Sequence, residues 1–484
     1  MSHLLLTIRF LDGRYHGKIE GDAREWPPAP MRLFASLLAG AKGRWNDEVP
    51  GAFRWLERQP PPLIRATNGR QGAELLTYVP NNNSDSGEIV RTAKVIKPTL
   101  LDDPPIVEYL WEIEPGDENH AHAIAQAARH IRALGWGIDM AIGHGCVVNL
   151  PPLNGHLVEY KPREFGVSGG SSLRVPVLGS LDSLEAAYEA SLNRIRAGGE
   201  VHDQPGPPVC EKRVYATSID RPFCAFALET PDEETAACRP QRIKELVGMI
   251  RGLAACKARS AGETIDVNRV ILGHPPDASG PRLSILPLPS IGHPHSDGQI
   301  RRVILAESAG GDGSLSLLLS RVLHNAALQP DRGDDAFSPR EVRLAHLKPE
   351  DRFLRFYTAL AHVWASVTPV LLPGYDDRKL HRGNQQKRLA RAEQLVCKAL
   401  AQAGIGVPAR IELSRVPFWA GTLHSRKYRP REKLAHYPRW HVRLAFDRPW
   451  IGPLAIGAGR HCGFGLFAAV DAGSCLPLGA DYSV

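Results

Sequence analysis

Two short stretches of this chain carry residue types suited to chemistry. The first, "GHPHSDGQIRR" (292–302), sets His293 and His295 in a glycine-flanked turn with Arg301 and Arg302 close behind. Histidine changes charge near neutral pH, so such a pair can move a proton while the guanidiniums hold an anion. Two plainer readings stand beside this one. Ser296, Asp297 and Gly298 make an ordinary turn with solvated histidines, or the HxH pair ligates a metal. The metal reading lacks a carboxylate or cysteine partner at suitable spacing. His274, in "ILGHPPDASG", is a weaker candidate, because its prolines imply a loop facing solvent.

The second stretch, "AIGAGRHCGFGLF" (455–467), packs Gly457, Gly459, Gly463 and Gly465 around Arg460 and His461. Glycine admits positive φ and close backbone approach. A turn rich in it can also aim successive amide N–H groups at a phosphate. The stretch therefore reads as an anion cradle with Arg460 as an added donor, or as a hairpin that needs tight turns. Within it, His461 fits a phosphate or base contact better than a proton shuttle.

The formal net charge of +7 is unevenly spread. The 66 residues from Arg378 to Arg443 hold sixteen Lys or Arg against Glu393, Glu412 and Glu432, a charge of +13, and the remainder carries −6. In "HSRKYRPREKLAHYPRWH" (424–441), Arg426, Lys427, Arg429, Arg431 and Lys433 interleave with Tyr428, Tyr437 and Trp440. A charge run is often only a solvated face. This density, with aromatic faces able to stack on unpaired bases, points to a polyanion, nucleic acid first. Arg32 and Lys42, which flank the first predicted helix, read as solvated surface bases.

The elements that must hold these stretches follow from periodicity. At 484 residues the chain exceeds one core. "HLLLTIRFLDGRYHG" predicts a first strand, and "WPPAPMRLFASLLAGAKG" a helix burying Met31, Leu33, Phe34, Leu37 and Leu38. A helix is predicted over 118–137, a strand at "GHLVEYKP" and a capped helix over 180–198. The polar run 78–94 shows no period and predicts a mobile excursion. Residues 199–212, rich in glycine and proline, predict a linker. Beyond it come strands at 222–229, 282–289 and 300–308 and a helix over 239–258, within a domain of residues 213–350. Residues 351–484 form the next domain, with a basic helix over 384–403 and strands at 409–421 and 439–447. The alternation implies β-α-β-β modules with helices on one face of an antiparallel sheet. No apolar run reaches the roughly 18 residues of a membrane span. Arg9 precedes any signal-type stretch, so no signal peptide is expected. The eight scattered cysteines suggest thiols in a reducing cytoplasm and no structural zinc site.

"GAGRHCGFGLF", after a strand near the end of the sequence, resembles the glycine-rich loop of the CRISPR repeat-processing endoribonucleases. The opening "HLLLTIRFLDGRYHG" with "WPPAPMRLFASLLAGAKG" resembles the Cascade subunit that holds the crRNA 5′ handle. With "RLSILPLPSIGHPHSDGQIRRV" (282–303) between them, the chain resembles the type I-G (formerly I-U) fusion of the two. The resemblance implies an α+β fold of tandem ferredoxin-like, RRM-like modules, one in a handle-binding domain of residues 1–198 and two in the processing half. It implies metal-independent cleavage of the repeat, by attack of a 2′-hydroxyl that leaves a 2′,3′-cyclic phosphate, with no cofactor. The partners implied are repeat RNA, mature crRNA, the backbone and large subunits of a cytoplasmic effector, and a helicase-nuclease recruited later; no membrane is involved. The RNA-binding residues are then the four glycines, Arg460 and His461, with Arg301, Arg302 and the basic run including Tyr428. Many such enzymes keep a histidine after the first strand of the processing half, but "TPDEETAACRP" (230–240) has none, which leaves His293 and His295 as the catalytic candidates. A non-catalytic RNA-binding scaffold is the alternative.

Overall fold

The structure, a computed structural model, describes residues 2–19, 24–42, 49–80, 91–150, 152–196, 206–262, 265–274, 281–328, 341–347, 351–375 and 384–470. It is a mixed α/β protein, 28% helix and 32% strand, built on several antiparallel sheets. The chain divides into two compact units, 1–163 with 170–217, and 164–169 with 218–484.

In the first unit, β1 (Ser2–Phe10) buries Leu4, Leu6, Ile8 and Phe10, the period-two pattern of a strand with one covered face. Then follow α1 (Pro30–Ala41), α2 (Val49–Leu56), β2 (Leu63–Ala66), β3 (Ile106–Glu112), α3 (Glu118–Ala128) and β4 (Ala141–Asn149). Pro30 opens α1, where its missing N–H costs nothing, and the helix buries the five residues expected of it. The four strands lie in the order β2-β3-β1-β4. Beyond β2 the sheet continues through β5 (Val158–Pro162), β6 (Ser171–Val175) and β7 (Glu211–Ala216), and α4 (Ser180–Arg196) runs between β6 and β7 in sequence.

Three readings of this half need correction or restriction. The helix expected over 118–137 stops at Ala128. Gly135 takes φ +120°, and the Asp139 carboxylate gathers the Trp136 and His16 amides there, so the chain turns instead of coiling. The run 78–94 is not a bare excursion, because Leu75–Pro80 pairs with Arg91–Ile96 as a hairpin. Leu75, Leu76 and Tyr78 are all exposed, so neither face is covered and no alternation exists to be read. Residues 81–90 of that run, and 199–205 of the expected linker, lie outside the described residues, while Glu211 and Lys212 already belong to β7.

The second unit holds two sheets. The first comprises β8 (Phe223–Glu229), α5 (Ile243–Ser260), β9 (Ser284–Pro289), β10 (Ile300–Ala306), α6 (Ser314–Leu323) and β11 (Val342–His346), with strand order β9-β10-β8-β11. The second comprises β12 (Leu360–Ser366), α7 (Gln385–Gln402), β13 (Arg410–Ser414), β14 (Arg439–Ile451) and β15 (Phe467–Ala469), with order β13-β14-β12-β15. The strand expected over 409–421 thus ends at Ser414. Where the other sheets have a helix before the last strand of the set, this one has the glycine segment between β14 and β15. β9 is an edge strand, and Pro287 and Pro289 deny it further ladder donors. Its N-terminal half instead receives the glycine segment, through a parallel bridge from Ile285 to Cys462. No helix of the described residues is long and apolar enough to cross a membrane.

Candidate nucleic-acid interface

The glycines of the segment 455–467 are there for packing. Gly457, Gly463 and Gly465 have φ of +92°, +83° and +66°. A side chain at Gly463 would stand 2.9 Å from Ile243 of α5 and 3.1 Å from Pro287 of β9, so only glycine lets the segment lie on that module. All four glycines are buried, and the amides of Ala458, Arg460, Cys462, Phe464 and Gly465 donate to protein carbonyls. Those amides are therefore not aimed at a ligand. The glycines shape the segment, and its side chains are what it presents.

Arg460 and His461 are brought to a cluster that the sequence does not announce. His461 Nδ1 lies 2.8 Å from the Ser284 hydroxyl at the start of β9, and Arg221 also donates to that hydroxyl. Arg251 of α5 donates to the His461 carbonyl, and its other terminal nitrogen reaches Cys462 Sγ at 3.6 Å. Arg221, Arg251 and Arg460 bond to carbonyls, a hydroxyl and a thiol, and none pairs with a carboxylate among the described residues. Arg251 is 9% exposed, and its Nε is buried with no partner among the described residues. Burial, with Arg460 nearby, brings the Arg221 pKa down to about 10. Burial and Arg282 lower that of Arg460. Burial, then Arg460, Arg221, Arg282 and Arg251, holds His461 well below the ordinary histidine value, so it is neutral at pH 7. Uncompensated guanidiniums gathered this way favour an anion strongly.

Two cavities meet at this cluster, and both are lined by Arg282 and His461. One, of about 670 Å³, is bordered by Arg251, Arg431, Lys433 and Tyr437. The other, of about 530 Å³, is bordered by Arg221, Arg460 and Trp450. The fold thus joins the basic run to the glycine segment. Along that run Arg426, Lys427, Arg429, Arg431 and Lys433 are exposed, while Ser425, Tyr428 and Pro430 point inward. Tyr428 is the exception among the contacts expected of this run. It is 1% exposed, its hydroxyl bonds the Val367 carbonyl and its ring packs edge-on against Phe464, so it cannot stack on a base. Trp440 is likewise buried, with the Arg415 guanidinium 3.6 Å over its ring. His441, buried between Ser366 and the Leu423 carbonyl, has its pKa pushed down to about 4 by burial.

The His293–His295 turn is a separate surface feature. Both histidines are exposed, with ring centroids 5.2 Å apart, and the His295 amide donates to His293 Nδ1 at 3.1 Å. Arg301 is ion-paired to Asp297 at 2.6 Å and Arg302 to Asp351 at 3.2 Å, so the expected phosphate clamp is neutralised by protein carboxylates. The turn follows β9 and the arginine cluster precedes it; the strand between them spans about 17 Å. Gly298 of the turn packs against the backbone of Gly421, just before the basic run. The exposed bases of 426–433 therefore lie in sequence between a contact with the turn and the cavity at His461. His274 is exposed and lines that same cavity. No group of three or more His, Cys, Asp or Glu placed to hold a metal occurs among the described residues.

Arg221, Arg251, Arg282 and Ser284 were missed in the sequence. Only Arg251 leaves a mark there, as a charge on the stripe Val247, Ile250, Ala254, Ala255 and Ala258 that α5 buries.

Residues 3–469 match the sequence pattern of the CRISPR-associated protein, GSU0054 family. A solved structure described as a CRISPR protein from Archaeoglobus fulgidus is 15% identical, with a TM-score of 0.19 over 35% of this chain and 69% of that one. That overlap is too slight to bear on the fold. No curated protein matches the chain. The chain belongs to the GSU0054 family of CRISPR-associated proteins, which gives it a role in a CRISPR system.

Proposed function

We propose that this CRISPR-associated chain binds the CRISPR repeat and cuts pre-crRNA, then stays on the mature crRNA as the 5′-handle subunit of a cytoplasmic type I-G effector, beside its backbone and large subunits. One observation carries the reading: the exposed bases of 426–433 lead from the His293–His295 turn to the cavities at His461, where Arg221, Arg251 and Arg460 pair with no carboxylate among the described residues. A single-stranded RNA laid along that run meets phosphate donors throughout and a buried anion site at its end. Each four-strand set has the strand order 2-3-1-4 counted along the sequence, which supports one ferredoxin-like module in residues 1–198 and two in 213–350 and 351–484.

In this reading, the 2′-hydroxyl loses its proton to one histidine of the turn and its oxygen attacks the adjacent phosphorus. The P–O5′ bond breaks, the leaving 5′ oxygen takes a proton from the other histidine, and a 2′,3′-cyclic phosphate remains. Each transfer is worth roughly 10²–10⁴-fold. The scaffold reading also has an observation in its favour, the commitment of Arg301 and Arg302 to Asp297 and Asp351. Incubating the chain with its end-labelled repeat RNA in EDTA decides between them. One cut ending in a cyclic phosphate, lost in His293→Ala or His295→Ala, is the expected result. Tight binding without a cut makes the chain a scaffold.

A further inference from the structure

The 530 Å³ cavity beyond His461 is more than an anion hole. Arg221, Arg460 and Ser308 give it a donor end, while Ile405, Trp450 and Leu454 give it an apolar wall with an aromatic ring. Ala403 and Gly404, just past the end of α7, border it as well, and the amides of Ala403, Gly404 and Ile405 bond back to the carbonyls of Ala399, Leu400 and Ala401. An inorganic anion has no use for the wall, and an apolar ligand has none for the guanidiniums. A nucleotide uses both, with its phosphate on the arginines and its base against the apolar wall.

We propose that this cavity is a mononucleotide subsite, with the phosphate on Arg221 and Arg460 and the base packed against the wall formed by Trp450. The proposal rests on the RNA-binding reading above and adds a fixed position at which one base is inspected. The same chemistry is offered by a nucleotide of the bound RNA and by a free nucleotide.

The test is calorimetric titration of the full chain with the four nucleoside 5′-monophosphates, their nucleosides and inorganic phosphate. One monophosphate is expected to bind about tenfold or more tighter than phosphate, while its nucleoside binds at least as weakly as phosphate. Arg460→Met should weaken that binding roughly tenfold. Trp450→Phe, which keeps an apolar ring at this partly buried site, should weaken it less, with phosphate binding unchanged. If the monophosphate is displaced by repeat RNA, the occupant is a nucleotide of that RNA; if both bind together, it is a free nucleotide. The proposal is overturned if no monophosphate exceeds phosphate, or if Arg460→Met leaves its binding intact. Repeat RNA titrated in the same buffer separates the two failures. RNA that binds while monophosphates do not sinks the subsite alone, and RNA that does not bind sinks the underlying reading.

Discussion

The histidine turn and the arginine cluster lie at opposite ends of β9 and solve the problem of charge in opposite ways. At the turn, Arg301 and Arg302 are paired with Asp297 and Asp351, the first pair half-exposed and the second largely covered, each already neutral. At the cluster, Arg221, Arg251 and Arg460 are drawn inward onto carbonyls, Ser284 and Cys462, with burial lowering the pKa of Arg221 and Arg460. The first arrangement is comfortable without a ligand. The second is costly until an anion arrives, a cost that functional sites commonly carry. A row of bases in sequence is thus a poorer guide to anion binding than the absence of carboxylates around them.

The largest expected effect concerns acid, and it lies with two buried histidines, His461 of the cluster and His441 of β14, and not with the turn. His461 and His441 have lowered pKa values in the fold, so the unfolded chain binds more protons than the folded one below about pH 6.5. Their contribution is present above pH 6.5 and is lost as pH falls through the folded values, about 4 for His441. For His441 alone the loss is on the order of 3 kcal/mol. Asp297, held below the usual carboxylate value chiefly by the Arg301 hydrogen bond, contributes above its unfolded pKa of about 3.9 and is lost only below that. Denaturant midpoints between pH 7.5 and 4.5 should therefore fall for the parent chain and for Asp297→Asn alike, and fall less for His441→Asn. An unchanged pH dependence in His441→Asn would break this contrast.

A smaller effect separates the ends at neutral pH. Arg460 makes one long hydrogen bond, 3.3 Å to the Gly457 carbonyl, and lies among like charges. Arg460→Met keeps the aliphatic stem and removes the repulsion, so the RNA-free protein should gain up to about 1 kcal/mol. Asp297→Ala removes a half-exposed ion pair and should cost below about 1 kcal/mol. Thermal melts of the two variants read out the opposite signs.

The frame of the molecule was legible in the sequence because it rests on periodicity, as in the alternation of β1 and the buried stripe of α1. Arg460 and His461 were legible because glycines surround them. The cluster they enter was not, because Arg221, Arg251, Arg282 and Ser284 come from distant places in the chain and meet only through tertiary packing. The glycines were ambiguous for a related reason. The same residues that permit an amide cradle permit close packing, and only the neighbours Ile243 and Pro287 decide. Tyr428 misled because its basic surroundings are exposed while its own ring points inward.

The most direct measurement of the central claim is repeat-RNA affinity against salt for Arg460→Met and Arg301→Met side by side. If the anion grip lies at the cluster, Arg460→Met should bind about tenfold more weakly. Its salt slope should be shallower by about 0.7, because one phosphate no longer meets a guanidinium. Arg301→Met should match the parent chain. The reverse outcome, weakened binding at Arg301 and none at Arg460, would contradict the account.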